Sequence, residues 1–338
     1  MSEKSPLPDA QETFINALAA GAMTAETVAL DQALGRTLHA DLKAPEDAPP
    51  YHRAIVEGFL VNTAETQGAT QDKPKRFKVV GHVAPGDARC PSVGSGEAVE
   101  VHTGSILPDG QVSIVRMWEA QRDGDQISIS RPFPPRFFIE DQGCDIQQGD
   151  TIISAGTLIE AAHIGTLASL GLDQVQVARQ PRVTLFASGD EVIPYTAGLK
   201  PGMIRDCNSP MLAAAVRSAG AVPALGGIMG DDFDSFVGAV KQALQDADMI
   251  VIAGGTAVGG RDFISDLIKQ VGELLVDGVP MKSGRPLIMG VADGKPLVCV
   301  AGHPPEALRG FKLFGVPAIA KLLGREEELP QDAQQPPQ

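Results

Sequence analysis

The stretch Asp248-Met-Ile-Val-Ile-Ala-Gly-Gly-Thr-Ala-Val-Gly-Gly-Arg-Asp-Phe263 decides how this 338-residue chain is read. Met249 to Ala253 is an apolar run of strand length halted by Gly254-Gly255, and beyond Thr256 the residues Phe263, Leu267, Ile268, Val271 and Leu275 recur at helical spacing. A strand that ends in glycines and feeds a helix exposes backbone N–H groups and the positive end of a helix dipole, which suits an anion. A plain strand-to-helix turn has the same local signature. The other loops around it argue for a site.

From Pro181 onward strands and helices alternate, the pattern of a parallel sheet with helices on both faces. Val183–Phe186 reads as a strand ending in Ser188-Gly189-Asp190-Glu191, and Asn208–Ala219 as a helix capped by Asn208 or Ser209, with Pro210 in its first turn. Val222–Ile228 is a strand running into Gly230-Asp231-Asp232, and Phe233, Phe236, Val237, Val240 and Leu244 mark a helix face. Pro280–Pro286 reads as a loop carrying Lys282 and Arg285, followed by strands at 287–289 and 297–300, the loop Gly302-His303-Pro304-Pro305, and a last helix to Leu323. Upstream, Asp9–Ala20 reads as a helix, Ala25–Leu38 as a strand followed by a helix that Gly35 closes, and 158–170 as a helix before a strand at 174–177. Between them, Phe77–Ser130 is cut into short alternating segments by Gly, Pro and Asp, with Asp123-Gly124 as a hairpin signal. Trp118 is expected to pack inside that β-rich insertion.

These elements predict an α/β chain with an N-terminal helix at 1–24 packing on the C-terminal domain. A mixed linker domain is split between 25–48 and 146–177. A β-rich insertion covers 49–145, a parallel-sheet domain 178–324, and a polar tail 325–338. The net charge of −14 argues against a sequence-independent grip on nucleic acid. No apolar run approaches membrane-spanning length, and Met1-Ser-Glu-Lys-Ser-Pro6 has no signal-peptide pattern. Four scattered cysteines form no metal or disulfide framework, so a cytoplasmic location is expected.

Ligands of open parallel sheets bind beyond the strands' carboxyl ends. Loops at such ends carry Ser188, Asp190, Glu191, Asp231, Asp232, Gly254, Gly255, Thr256 and Asp262, with Lys282 and Arg285 nearby. Carboxylates, glycine amides and two cations suit a phosphorylated ligand bridged by a divalent metal, since Mg2+ prefers carboxylate and phosphate oxygens. Any single acidic residue here also fits a helix cap, which Asp favours on its own account.

At these residues the sequence resembles the MoeA-type molybdopterin molybdenumtransferases, the gephyrin E-domain family. The matching pieces are Ala33-Leu-Gly-Arg36, Pro49-Pro-Tyr51, Glu57-Gly-Phe59, Thr103-Gly104, Pro108-Asp-Gly110, Gly143-Cys-Asp145 and Ser188-Gly-Asp-Glu191. They continue through Asp206-Cys-Asn208, Gly230-Asp-Asp232, Gly254–Gly259 with Asp262, Lys282–Pro286 and Gly302-His-Pro304, in family order over residues 10–324. The resemblance implies a MogA-like parallel-sheet domain that binds molybdopterin or its AMP adduct, an elongated homodimer, and insertion of molybdate with Mg2+ and loss of AMP. It assigns Glu57, Thr103 and Glu191 to catalysis, the first two facing the oxyanion from a partner subunit. It assigns Ser188, Gly189, Asp190, Gly254, Gly255, Thr256, Asp262, Lys282 and Arg285 to the ligand, and Asp190, Asp231 and Asp262 to the metal.

Several positions depart from the family pattern. Glu57 stands where the family has Asp, and His52, Arg53, Ala54 and Ile55 replace its polar residues. The acidic run Glu140-Asp141-Gln142 replaces an Arg-rich one, exchanging an anion-attracting patch for an anion-repelling one, and Cys144 replaces Glu. His303 replaces Asn and reads as a loop-shaping residue. The family's small C-terminal β domain is not matched. A second reading is therefore a non-catalytic paralogue that carries molybdopterin, or partners a molybdoenzyme or another cofactor-biosynthesis protein.

Overall fold

The computed structural model describes residues 7–230, 232–254, 263–281, 284–326 and 329–330, without the side chains of Pro280, Met281 and Arg285. The chain forms two compact units: Met1–Asp41, Ile153–Gly165 and Asp173–Gln338 make the first, Leu42–Ile152 and Thr166–Leu172 the second.

The first unit is built on a six-stranded sheet in the order Val222–Met229, Arg182–Ser188, Met249–Ala253, Lys295–Val300, Gly284–Ala292, Glu273–Met281. The first four strands are parallel, and the last two close the edge as an antiparallel hairpin. Alternation along the central strand explains why it lies in the middle. Met249, Val251 and Ala253 face one core with Phe14, Leu212, Val216 and Ile319, while Ile250 and Ile252 face a second core with Phe236, Val240, Leu267 and Ile268. A strand with no polar position has no face to offer water, so helices must cover both sides. Each such side chain fully buried contributes about 1.5–3 kcal/mol.

Asp248, just before this strand, sets its register. Its carboxylate takes both guanidinium nitrogens of Arg179 at 2.9 Å and the Arg182 amide at 2.7 Å, while its own N–H donates to the Arg182 carbonyl at 2.8 Å. Burial pushes the Asp248 carboxyl up, but Arg179 and the Arg182 amide outweigh it and hold the group below the usual carboxylate range.

Three readings made from periodicity are corrected. After the strand Ala25–Ala29 only a short turn, Leu30–Gln32, follows, not a helix. The backbone there is consumed by longer-range bonds, Leu30 N–H to Asp173 and Gly35 N–H to Ile159, and tertiary pairing overrides local propensity. The helix Phe263–Val271 stops before Leu275, which lies on the strand Glu273–Met281. That strand is hidden in the sequence because three register shifts break its alternation. Arg285 is consequently the second residue of a strand, Gly284–Ala292, not part of a loop.

The second unit holds the β-rich sheet, in the order Val112–Arg116, Gly58–Asn62, Glu97–Val101, Lys75–Val83, Gln126–Ile129, Ala120–Asp123. Asp123 pairs with Gln126 across the hairpin, where Gly124 supplies a positive φ of 60°. Trp118 is 70% exposed, with the Arg116 guanidinium over its ring, so the expected packing is corrected to a cation–π contact at the surface. Among the described residues no helix is long and apolar enough to cross a membrane.

Asp248→Asn keeps the shape but loses the charge on the Arg179 pair, and is expected to cost about 1–3 kcal/mol at neutral pH. Because the folded carboxyl ionises below the unfolded one, this contribution is complete above pH ~4 and disappears as the pH falls further. Denaturant titrations of both proteins at pH 7 and pH 3 should therefore show a gap at pH 7 that is smaller at pH 3.

Candidate functional site

The carboxyl ends of three neighbouring strands converge in the first unit. Ser188 ends one, Ala253-Gly254 the next, and Val300 leads into Gly302-His303-Pro304 from the third. The Gly254 N–H donates to the Val300 carbonyl at 3.0 Å, drawing the two central ends together. Gly254 sits at φ 99°, and a Cβ there would lie 2.7 Å from the Ser188 carbonyl oxygen. Only glycine fits.

Beyond Ser188 the chain makes an excursion. Val192–Ile193 pairs in parallel with Ile204–Arg205, and the Asp206 N–H is received by the Ile193 carbonyl at 2.8 Å. Asp206 then accepts the Ser209 N–H at 3.0 Å, capping the helix Asn208–Ser218. The cap expected at Asn208 or Ser209 is corrected accordingly: Asp206 does that work, which releases Asn208. Its side-chain amide instead reaches across 94 residues to donate to the Gly302 carbonyl at 2.7 Å.

A cleft of about 350 Å³ results, bordered by Ser188, Glu191, Asp206, Asn208, Gly302 and His303. Two of its polar atoms are buried with no partner among the described residues, the Ser188 hydroxyl and the Asn208 Oδ1. A buried polar atom left unpaired costs about 1–3 kcal/mol, and such atoms in a folded protein call for an explanation. Here the hydroxyl can donate to an anionic oxygen, and the amide oxygen can accept from a ligand N–H or O–H. His303 is the N-cap position of the short helix Pro304–Gly310, with no side-chain capping bond.

The predicted residues divide. Ser188 and Glu191 border this cleft, and Gly189 makes room for Glu191, since a Cβ there would sit 2.6 Å from its carboxylate. Asp190 turns away from it into a neighbouring cleft. Asp232 is an N-cap: its carboxylate accepts the Ser235 N–H at 2.8 Å, and bonding to Ser235 holds its carboxyl below the usual range. Asp231, Gly255, Thr256, Asp262 and Lys282 lie outside the described residues, as does the side chain of Arg285. Among the described residues no three metal-ligating side chains meet.

Glu57 and Thr103 belong to the second unit and are exposed. Glu57 Oε1 lies 3.6 Å from His102 Nδ1, and the His102 ring meets His82 edge-on with centroids 4.9 Å apart. In the same unit Glu140 and Asp141 are not the anion-repelling patch expected of them. Glu140 accepts from Arg53 at 2.6 Å, and Asp141 pairs with Arg136, so guanidinium groups answer the acidic charge. Sequence reading missed Asn208 and Asp206 as cleft residues. Asp206-Cys-Asn208 stood out as a motif, but nothing local reveals a bond to Gly302.

Residues 5–171 match a family model described as the MoeA N-terminal region (domain I and II), and residues 184–321 match one described as a probable molybdopterin binding domain. Molybdopterin molybdenumtransferase of Staphylococcus aureus strain Mu50 is 31% identical over 334 residues, covering 98% of this chain and 79% of the relative. Two crystal structures of the molybdopterin biosynthesis MoeA protein of Pyrococcus horikoshii align with TM-scores of 0.82 and 0.83, at 31% and 26% identity. Both alignments cover 96% of this chain, and 81% and 80% of those chains.

Gly254→Ala places a methyl group against the Ser188 carbonyl at a backbone angle that alanine rarely adopts. A loss of about 1–3 kcal/mol is expected, measurable by denaturant unfolding, whereas Gly238→Ala on a helix, with nothing within 4 Å, should not destabilise.

Proposed function

This chain belongs to the MoeA family of molybdopterin molybdenumtransferases and acts in molybdenum cofactor biosynthesis; from that premise we propose that it binds molybdopterin, free or adenylylated, at the strand-end cleft and inserts molybdenum from molybdate into it. The observation that carries the placement is the pair of unpartnered buried atoms, Ser188 Oγ and Asn208 Oδ1, at the end of a glycine-bounded parallel sheet.

In this reading the Ser188 hydroxyl donates to a phosphate oxygen, and Asn208 Oδ1 accepts a ligand N–H or O–H. Gly254, Gly255 and Thr256 supply amides and a hydroxyl, while Lys282 and Arg285 balance the anionic charge that Glu191 and Asp206 would otherwise repel. Glu191, the acid on the cleft wall, is the group that would exchange a proton with an oxygen released during insertion. Glu57 and Thr103 are the residues proposed to face the oxyanion, in a homodimer. A magnesium ion, where bound, would neutralise phosphate charge; Asp190, Asp231 and Asp262 are the residues proposed to hold it, and Asp190 alone lies among those described.

A carrier or assembly role without catalysis is not favoured, because the identity to a molybdenumtransferase runs along 98% of the chain. Complementation separates the two. Expression in a strain lacking its molybdenum insertase should restore molybdoenzyme activity, and Glu191→Gln, which removes the proton-exchanging group, should lower the insertion rate by about 100-fold or more. Calorimetry should give a molybdopterin affinity weakened about tenfold by Ser188→Ala, the loss of one hydrogen bond to a charged group. Molybdopterin binding without complementation would turn the conclusion to a carrier.

A further inference from the structure

In the second unit a strand register brings an acid and an imidazole together. Glu57 lies just before the strand Gly58–Asn62 and His102 just after the strand Glu97–Val101, and Gly58 pairs with Val101 in antiparallel register. One step beyond that pair, Glu57 and His102 stand opposite each other, the position from which side chains of neighbouring strands interact. Glu57 Oε1 is 3.6 Å from His102 Nδ1. Among the described residues the Glu57 carboxylate has no other ion-pair or hydrogen-bond partner.

The imidazole stands on a rigid turn. The His102 N–H donates to Ser105 Oγ at 3.2 Å, the His102 carbonyl accepts the Ser105 N–H at 3.0 Å, and the fully buried Ser105 donates its hydroxyl to the Val83 carbonyl at 2.8 Å. Thr103 is the second residue of this turn and Gly104 the third, where Gly104 takes a positive φ of 87°. The Gly104 N–H donates to the Ala54 carbonyl at 2.8 Å and the Ala54 N–H to the Ser105 carbonyl at 3.0 Å, which ties the turn to the segment leading into Glu57. The His82 ring meets the His102 ring edge-on, with centroids 4.9 Å apart and planes at 70°.

Glu57 is fixed in its backbone, whose carbonyl accepts the Met117 N–H at 3.2 Å, but its side chain is 60% exposed. Standing where the family has Asp, it carries one more methylene and one more rotatable bond, so its carboxylate sweeps a larger volume unless something stops it. Misplacing a reacting group by about 1 Å can cost about 100-fold in rate. An exposed ion pair contributes little to stability, which leaves the position of the acid as what this one sets. The gap of 3.6 Å is just beyond a hydrogen bond, and catalytic bonds commonly tighten only when the ligand is present. We propose that His102 is the positioning residue for Glu57: its Nδ1–H holds the longer acid, His82 holds the plane of its ring, and Glu57 and Thr103, which shares the His102 turn, thereby face the oxyanion together. This rests on the function proposed above, which gives Glu57 and Thr103 to the oxyanion.

Insertion kinetics of the intact chain with adenylylated molybdopterin and varied molybdate test the assignment. His102→Leu fills similar space without a donor, and should lower kcat about tenfold or more while leaving KM for molybdate within about twofold. His102→Asn sets an amide N–H close to where Nδ1 stands, and should bring kcat back to within about threefold of wild type. Both variants keep Ser105 and Gly104, so their unfolding midpoints should match. Equal losses in the two variants, no loss in His102→Leu, or a midpoint that falls in step with kcat overturns the proposal. Glu57→Gln locates a failure. If it lowers kcat about 100-fold while His102→Leu does not, the pairing alone falls; if it leaves insertion unchanged, the role given to Glu57 falls and the pairing with it. A wild-type chain that inserts no molybdenum removes the proposed function as well.

Discussion

One clamp at the amino ends of the sheet governs what happens at its carboxyl ends. Asp248 holds Arg179, the Arg182 amide and the start of the central strand together, so that Arg182–Ser188 and Met249–Ala253 run side by side from a common origin. Parallel strands with a shared start and similar length finish at a shared level. That is why Ser188 and Gly254 meet at one cleft although more than sixty residues separate them. The energy comes mainly from burying Met249–Ala253 on both faces, and the clamp chooses the register in which it is released.

At the other end the balance reverses. The clamp is a fully answered ion pair, whereas the cleft keeps a hydroxyl and an amide oxygen unanswered. The fold tolerates that because strand ends and helix starts are already held by other bonds: Gly254 to Val300, Asp206 to Ser209, Asn208 to Gly302. Recognition groups fixed in advance lose little entropy when a ligand arrives. Glu191 and Asp206 bring acidic charge to the cleft, Arg205 is the guanidinium on its lining, and a phosphorylated ligand needs more positive charge than that. In the proposed function Lys282 and Arg285 fill that need.

The second unit answers its charges internally. Arg53 with Glu140 and Arg136 with Asp141 tie its connecting segments, and the Asp47 carboxylate, held below the usual range by the Gln148 amide and the Gln142 side chain, adds a link through uncharged donors. The residues that depart most from the family pattern, at 52–53 and 140–142, are partners of one another or of this network. Glu57, by contrast, keeps a carboxylate at an exposed position and has His102 beside it.

Much of this architecture was legible along the chain. A strand buried on both faces must be apolar at every position, so Met249–Ala253 identified itself, and with the glycines and helical spacing that follow it predicted a sheet covered on both sides. The order of short motifs was enough for the family, and glycine before an acid marked the loops. What periodicity missed were elements whose pattern is broken or whose bonds are long-range: the bulged strand Glu273–Met281, the turn after Ala29, the cap supplied by Asp206. Which of two adjacent carboxylates enters which cleft was beyond any sequence argument, because Asp190 and Glu191 sit in a turn, closed by the Val192 N–H to the Gly189 carbonyl, whose path the tertiary structure sets. Sequence determined which strands form the centre and what chemistry their ends carry; only the tertiary structure decided which side chains spend that chemistry on the fold and which are left for a ligand, because that depends on bonds reaching across tens of residues.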